Sequence, residues 1–338
     1  MTPIFLMLIC AGSLAIALPL TKTRTTMTLL VLVPMLGCWI RKIAANKLGD
    51  ALAASGTTIS SDNDPELIAA AAPFSLKLME SLLAESPNHR GLLLAASSGF
   101  TQYAYMALKE QADERESTDI EGATAMRRRA RLLYLRARDY SVRGLETRHK
   151  GFSVALRKDP EAAVKRCDKL DVAFLYWAAA AWGSAISVSK DKPELIADQS
   201  IVRALIDRAA ALDPDFNDGA IHAFLITYEP SRPGAGKNIE QRTRPHLDRA
   251  VELTNGQLAG PYVDYAESVS IASQNRVQFE TMLRKALAVE PDDRPEWRLE
   301  NLVMQRRARW LLSREDDLFL DAPPAESSAA TPAASVQP

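Results

Sequence analysis

The sequence is poor in the residues that most often carry chemistry. Only 3 Cys and 4 His occur in 338 residues. No Cys-x-x-Cys or His-Glu-x-x-His spacing is present, so neither a structural zinc site nor a zinc-protease helix is written in the chain. No nucleophile–base spacing and no phosphate-cradling loop occurs either, which argues against an enzyme and gives no reason to expect a metal or cofactor. Charge of one sign is not in excess: 41 Lys+Arg stand against 42 Asp+Glu, a net of −1. That balance excludes a nucleic-acid binder driven by bulk charge and an acidic solvating tail protein. Aromatic residues make up 7%. No run of alternating polarity is long enough for a strand.

What is present in quantity is alanine, at 52 residues. Ala loses no side-chain entropy in a helix, so the composition favours helices. With 47% hydrophobic and 25% charged residues the chain is otherwise ordinary for a globular protein. At about 100–200 residues per domain, its length allows one to three domains.

Residues 1–40 differ from the rest. Met1–Leu20 is apolar and uncharged, Lys22 and Arg24 follow, and then MTLLVLVPMLG leads to Cys38. A basic segment, an apolar run of roughly 7–15 residues and a small residue before the cut describe a secretory signal. Met35-Leu36-Gly37-Cys38 resembles a lipobox, in which Cys38 becomes the lipidated first residue. Two other readings stay open here. Met1–Leu20 is about as long as a membrane span, and Met1–Pro19 fits a segment upstream of the true start. Residues 1–37 are therefore assigned to the signal and lipobox region, 38–64 to a linker, 65–321 to the folded body and 322–338 to a disordered Ala/Pro/Ser tail. The expected location is the periplasm, with the lipid as membrane anchor. If Cys10 is removed and Cys38 lipidated, Cys167 stands alone and reads as a small buried hydrophobe.

From about Pro65 the hydrophobic period is 3.6. It predicts helices near 66–86, 90–110, 121–148, 171–189, 200–212, 217–229, 239–254, 261–272, 275–289 and 295–315. Asp64-Pro65-Glu66 supplies a cap, a Pro for the first turn and an acid that suits the helix dipole. Several helices close alike: Ala84-Glu85-Ser86-Pro87, Ala211-Leu212-Asp213-Pro214 and Val289-Glu290-Pro291, with Thr254-Asn255-Gly256 as a variant. Small residues let antiparallel helices approach, and Pro turns the chain into the next pair. Pro214 and Pro291 lie 77 residues apart, close to two repeats of about 34 residues with a small insertion. The expectation is an all-α fold of TPR-like helix pairs stacked into a right-handed superhelix. The pairs are 90–110 with 121–148, 171–189 with 200–212, 217–229 with 239–254, and 261–272 with 275–289. The 66–86 and 295–315 helices cap the two ends.

Six stretches carry a family resemblance. They are NKLGDALAASGTTISSDNDPELI (46–68), LMESLLAESPNHRGLLLAASSGFTQYAY (78–105), RARDYSVRGLE (136–146), LYWAAAAWGSAISVSKDKPELIAD (175–198), DRAAALDPDFNDGAIHAFLITYE (207–229) and NLVMQRRARWLLSREDDLFLD (301–321). Together they resemble the T-component of TRAP transporters, the TPR-like periplasmic lipoproteins that accompany tripartite ATP-independent solute carriers. The resemblance implies four helix-pair repeats, a homotrimer, and partnership with the periplasmic solute-binding protein of a TRAP system around an apolar or organic-anion ligand. It brings no catalytic residues. The long Met1–Pro19 segment and Met35 in the lipobox depart from the family pattern.

Candidate ligand-binding positions come from the residues themselves. Val172–Ser189 has no charged residue in 18 positions and includes Trp177 and Ser184. It could line an apolar channel, with Trp177 as a wall, or be a helix buried on all sides. In 90–110, Ser98, Thr101, Gln102 and Tyr105 could bond a polar ligand head or satisfy their own backbone. His222 lies seven residues, about 10 Å, before Glu229, too far for proton transfer between them. Residues 127–150 hold nine Lys+Arg against two acids. They form either a docking face or the counter-charge to the acid-rich turn before them. Arg306, Arg307 and Arg309 are expected to make weak surface pairs with Asp316 and Asp317. The leading functional expectation is a non-enzymatic binding module of a TRAP system. The rival is a TPR scaffold lipoprotein for envelope assembly.

Overall fold

Caps written in the sequence set the helix limits. In the computed structural model, which describes residues 46–53, 56–232, 234 and 238–320, the Asp64 carboxylate accepts from Leu67 N at 2.9 Å and opens α2 (Pro65–Glu85), after the short α1 (Gly56–Ser60). Asp119, Asn238 and Asn275 cap the helices that follow them by the same bond to the third residue on. After Leu253 the chain turns through Asn255 (φ 50°) and Gly256 (φ 71°), and Gly256 N donates to Val251 O at 2.8 Å. A left-handed pair there satisfies carbonyls that the helix end leaves open. Cys38, the signal region and the 322–338 tail lie outside the described residues.

All described secondary structure is helical. Residues 46–53 and α1 are helical within the stretch read as linker. The further helices are α3 (Arg90–Ala104), α4 (Glu110–Arg115), α5 (Ile120–Glu146), α6 (Phe152–Lys158), α7 (Pro160–Val164), α8 (Val172–Ser187), α9 (Pro193–Ile196), α10 (Gln199–Leu212), α11 (Phe216–Tyr228), α12 (Ile239–Leu253), α13 (Gly260–Tyr265), α14 (Arg276–Leu287), α15 (Arg298–Ser313) and α16 (Glu315–Leu318). The four expected pairs pack as pairs: α3 with α5, α8 with α10, α11 with α12, and α13 with α14. Within α11, Asn217, Asp218 and Gly219 all have positive φ, so the regular turns begin only after Gly219.

Alanine decides how close the pairs come. In α8, Ala178, Ala179 and Ala181 are fully buried beside Phe174, Leu175 and Trp182. On α5, Gly144 receives the Phe174 ring so tightly that an added Cβ would sit 2.0 Å from it. One core cluster joins α2, α3, α5, α8 and α10, and a second joins α12 to α15. Among the described residues only Pro65–Glu85 is long and apolar enough to cross a bilayer. It buries Leu76, Met79 and Leu83 in the core and leaves Leu67 and Phe74 exposed.

The two capping helices touch each other. Arg298 in α15 donates to the Ser61 carbonyl at 2.8 Å, and Arg306 pairs with Glu66 at 3.3 Å and with Glu114 at 2.8 Å. An open solenoid has contacts only between neighbouring repeats. Here the last long helix returns to the first ones.

Candidate ligand site at the closing seam

Arg307 is the centre of that return. It is 2% exposed, and its guanidinium bonds Glu267 on both Nε (3.2 Å) and Nη2, and Asp113 at 3.0 Å. Glu110 stands 3.5 Å from its Nε. The Trp310 ring lies 4.3 Å below the guanidinium. Lys109 adds a second cation, 3.1 Å from both Glu110 and Asp113. The expected surface pairing of Arg306 and Arg307 with Asp316 and Asp317 is therefore corrected. Those two acids go to Arg276 and Arg314, while Arg307 is buried and the exposed Arg306 reaches Glu66 and Glu114. In α15 they fall on the side that meets α2 to α4, which local sequence distance could not show.

Two helical irregularities place the seam. Glu110 N donates to Tyr105 O, and Ile271 N donates to Ala266 O at 3.2 Å, each a bond from residue i+5. Such π-turns, at Tyr105–Lys109 and Ala266–Ser270, rotate the helix by an extra residue and often occur at functional sites. The first carries Tyr105 and Lys109 and the second carries Glu267, so both are turned onto one seam.

Two carboxyls at the seam lack the degree of neutralisation that Glu267 has. Burial pushes Glu267 up, but Lys109 and Arg307 outweigh it and hold the carboxyl below its usual value. Asp264, one turn before, is raised well above the carboxylate range by burial and by the Glu267 and Glu300 charges. Burial alone lifts Glu300 to about 7. Yet Glu300 keeps an accessible side chain, and Asp264 is only half-buried. Tyr105 Oη donates to the Met304 thioether at 3.7 Å, one turn from Glu300. Burial, Glu110, Asp264 and Glu267 drive its phenol well above 10.0. Tyr176 feels both Glu300 and Asp264. Its ring meets Trp177 edge-on at 5.0 Å and Phe216 at 5.6 Å. Arg307 Nη1 is buried without a hydrogen-bond partner.

The sequence-derived positions divide accordingly. Tyr105 lies in the seam and Trp177 beside Tyr176 at its edge. Thr101 is buried and returns its hydroxyl proton to Ser97 O at 2.8 Å, while half-buried Ser98 does the same to Ala95 O at 3.2 Å. Gln102 is exposed, and Ser184 is half-buried on α8. His222 lies apart, against His246 on α12. Asp264, Glu267 and Glu300 were missed, being ordinary helix-surface acids in sequence that only closure brings together, while Tyr176 lies in the uncharged 172–189 stretch read as a possible channel wall. An open groove of about 510 Å³ lies outside the seam, between α2, α4 and α5, lined by Ala69, Ala70, Tyr103, Ala107, Met126 and Arg129 among others.

The basic run on α5 is mostly neutralised. Arg127 bonds Asp113 and Glu116, Arg131 lies near Asp191, Arg136 near Glu80, and Arg148 bonds Asp168 and Asp171. His149, Cys167 and Asp171 place ligand-type atoms within 4.8 Å of one another. Cys167 is 1% exposed and burial pushes its thiol up to about 12, so no thiolate is available there.

A family model, the TRAP transporter T-component, matches residues 61–319, and the chain belongs to that family. The family is a transport component, not an enzyme family, and it associates with the other parts of TRAP systems. A relative from Treponema pallidum (strain Nichols), described as an uncharacterized protein, is 28% identical over 306 residues, covering 84% of this chain and 94% of its own length.

Proposed function

We propose that the chain is a non-enzymatic, lipid-anchored periplasmic subunit of a TRAP system that docks the solute-binding protein and takes a small organic ligand at the closing seam. The family match supports the transport role. The observation that carries the ligand site is the seam itself, where Asp264 and Glu300 stay accessible and raised beside the paired Glu267, with Lys109 offsetting Asp264 only in part. Clustered carboxyls with raised values are candidates for a functional site. Tyr105, Tyr176 and Trp177 supply the aromatic walls. The reading keeps helix-pair repeats of TPR type and a homotrimer as family-based parts, and lipidation at Cys38 as the anchor.

Two measurements test it. Affinity purification of the chain from its source membrane should bring down a TRAP solute-binding protein. Capture of an envelope-assembly complex in its place, in repeated experiments, would overturn the transport reading. Mass spectrometry of small molecules released from the purified chain should show a compound lost in a Glu300→Ala, Tyr105→Ala variant. An unchanged compound profile would remove the seam as its site.

A further inference from the structure

His222 and His246 form a feature that the transport reading does not use. His222 lies on α11 and His246 on α12, and their Nδ1 atoms face each other at 3.0 Å. The ring centroids are 5.3 Å apart with 36° between planes. Both rings are half-buried. Two imidazoles in this arrangement can share one proton. With both rings protonated at Nε2 instead, the two Nδ1 lone pairs face the same gap.

We infer that this pair is a binding site for a borderline transition-metal cation of the zinc, nickel or copper class, bridging α11 and α12. An ion about 2.05 Å from each nitrogen, the ordinary metal–imidazole length, would subtend about 94° across the 3.0 Å gap. That is the angle between adjacent ligands in tetragonal or octahedral coordination and within modest ring movement of the tetrahedral value. Imidazole nitrogen selects such ions over magnesium or calcium, which take oxygen.

The surrounding charges are settled, so the two imidazoles act alone. Asp215 faces His222 but gives both carboxylate oxygens to Arg249, at 3.0 and 2.6 Å. Glu229 faces His246 but bonds Arg232 and Arg242. The protein thus offers two ligands, and the half-exposed side of the site leaves the other coordination positions to water or to a donor from a bound partner.

The test uses the full chain in detergent without an affinity tag, titrated with zinc, nickel and copper chlorides against a chromogenic chelator. One equivalent should bind. Affinity should fall at least about tenfold in His222→Gln and in His246→Gln, each of which removes a direct ligand, and should be unchanged in Cys167→Ser. Binding should weaken below about pH 6.5 as protons compete. Unchanged affinity in both histidine variants, loss in Cys167→Ser, or no binding by the wild type would overturn the inference. Copper electron paramagnetic resonance of the unmodified chain checks it without a variant. Hyperfine coupling to two imidazole nitrogens supports the site, and its absence refutes it.

Discussion

Two buried ionic clusters in this molecule use the same residue types to opposite ends. Around Asp171, which is fully buried, Arg148 and His149 each bond one carboxylate oxygen at 2.7 Å, Asp168 N donates to it at 3.2 Å and Arg90 approaches the other at 3.4 Å. Burial alone would push that carboxyl up, but the His149 and Arg148 bonds hold it below its usual value. Around Arg307 the count does not close. Glu267 is paired, Asp264 and Glu300 are raised, and one guanidinium nitrogen has no partner. A fully satisfied network fixes a structure, while a partly satisfied one leaves buried polar groups at a cost. The Asp171 cluster ties α3, the α5 end and the start of α8 together. The Arg307 cluster ties α15 to α4 and to the π-turn at Ala266–Ser270.

Substitutions should separate the two. Asp171→Ala leaves Arg90, Arg148 and His149 without their common anion, and a loss near the upper end of about 3–5 kcal/mol is expected in urea unfolding. Arg307→Met should cost nearer 3 kcal/mol, because Lys109 still neutralises part of the acid it abandons. If Arg307→Met proved the costlier change, the contrast between a structural and an open cluster would fail. At Glu300 the expected effect is opposite in sign. Its folded value of about 7 exceeds the ordinary 4.5, so the folded chain keeps a proton that the unfolded chain releases between those values. The cost of the interior charge thus grows as pH rises through that window. Glu300→Gln should raise the melting temperature at pH 8 and leave it unchanged at pH 4, in contrast to any substitution at Asp171. The smallest effect belongs to the histidine pair. Both rings are lowered, so their contribution is complete above about pH 6.5 and is lost as pH falls below it. His246→Gln should flatten the melting temperature between pH 7 and 5.

Much of the fold was legible because its signals are local. Asp64-Pro65, Asn275 and Pro87 mark ends by their own backbone chemistry, and the four helix pairs follow from short connections. The π-turn at Tyr105–Lys109 was not legible, since YMALK contains no Gly or Pro to announce it. The seam was not legible for a second reason. Arg307 reads as one more charge in MQRRARWLL, and its partners Asp113 and Glu267 are 194 and 40 residues away. Of the site, the sequence offered Tyr105 and Trp177 as aromatic residues on suspect helices. The acids that give those rings a purpose converge only in three dimensions.

The return of α15 to the first helices also sets an order of events in time. Arg306 meets Glu66 across 240 residues. Closing a loop of that length costs about 2 kcal/mol more than closing one of 20 residues, and contacts so distant in sequence slow folding. The helix pairs can form as the chain emerges, each from its own neighbours. The N-terminal helices must wait for nearly the whole chain to be made before Arg298, Arg306 and Arg307 reach them. The newest residues to be synthesised thus finish the oldest part of the structure.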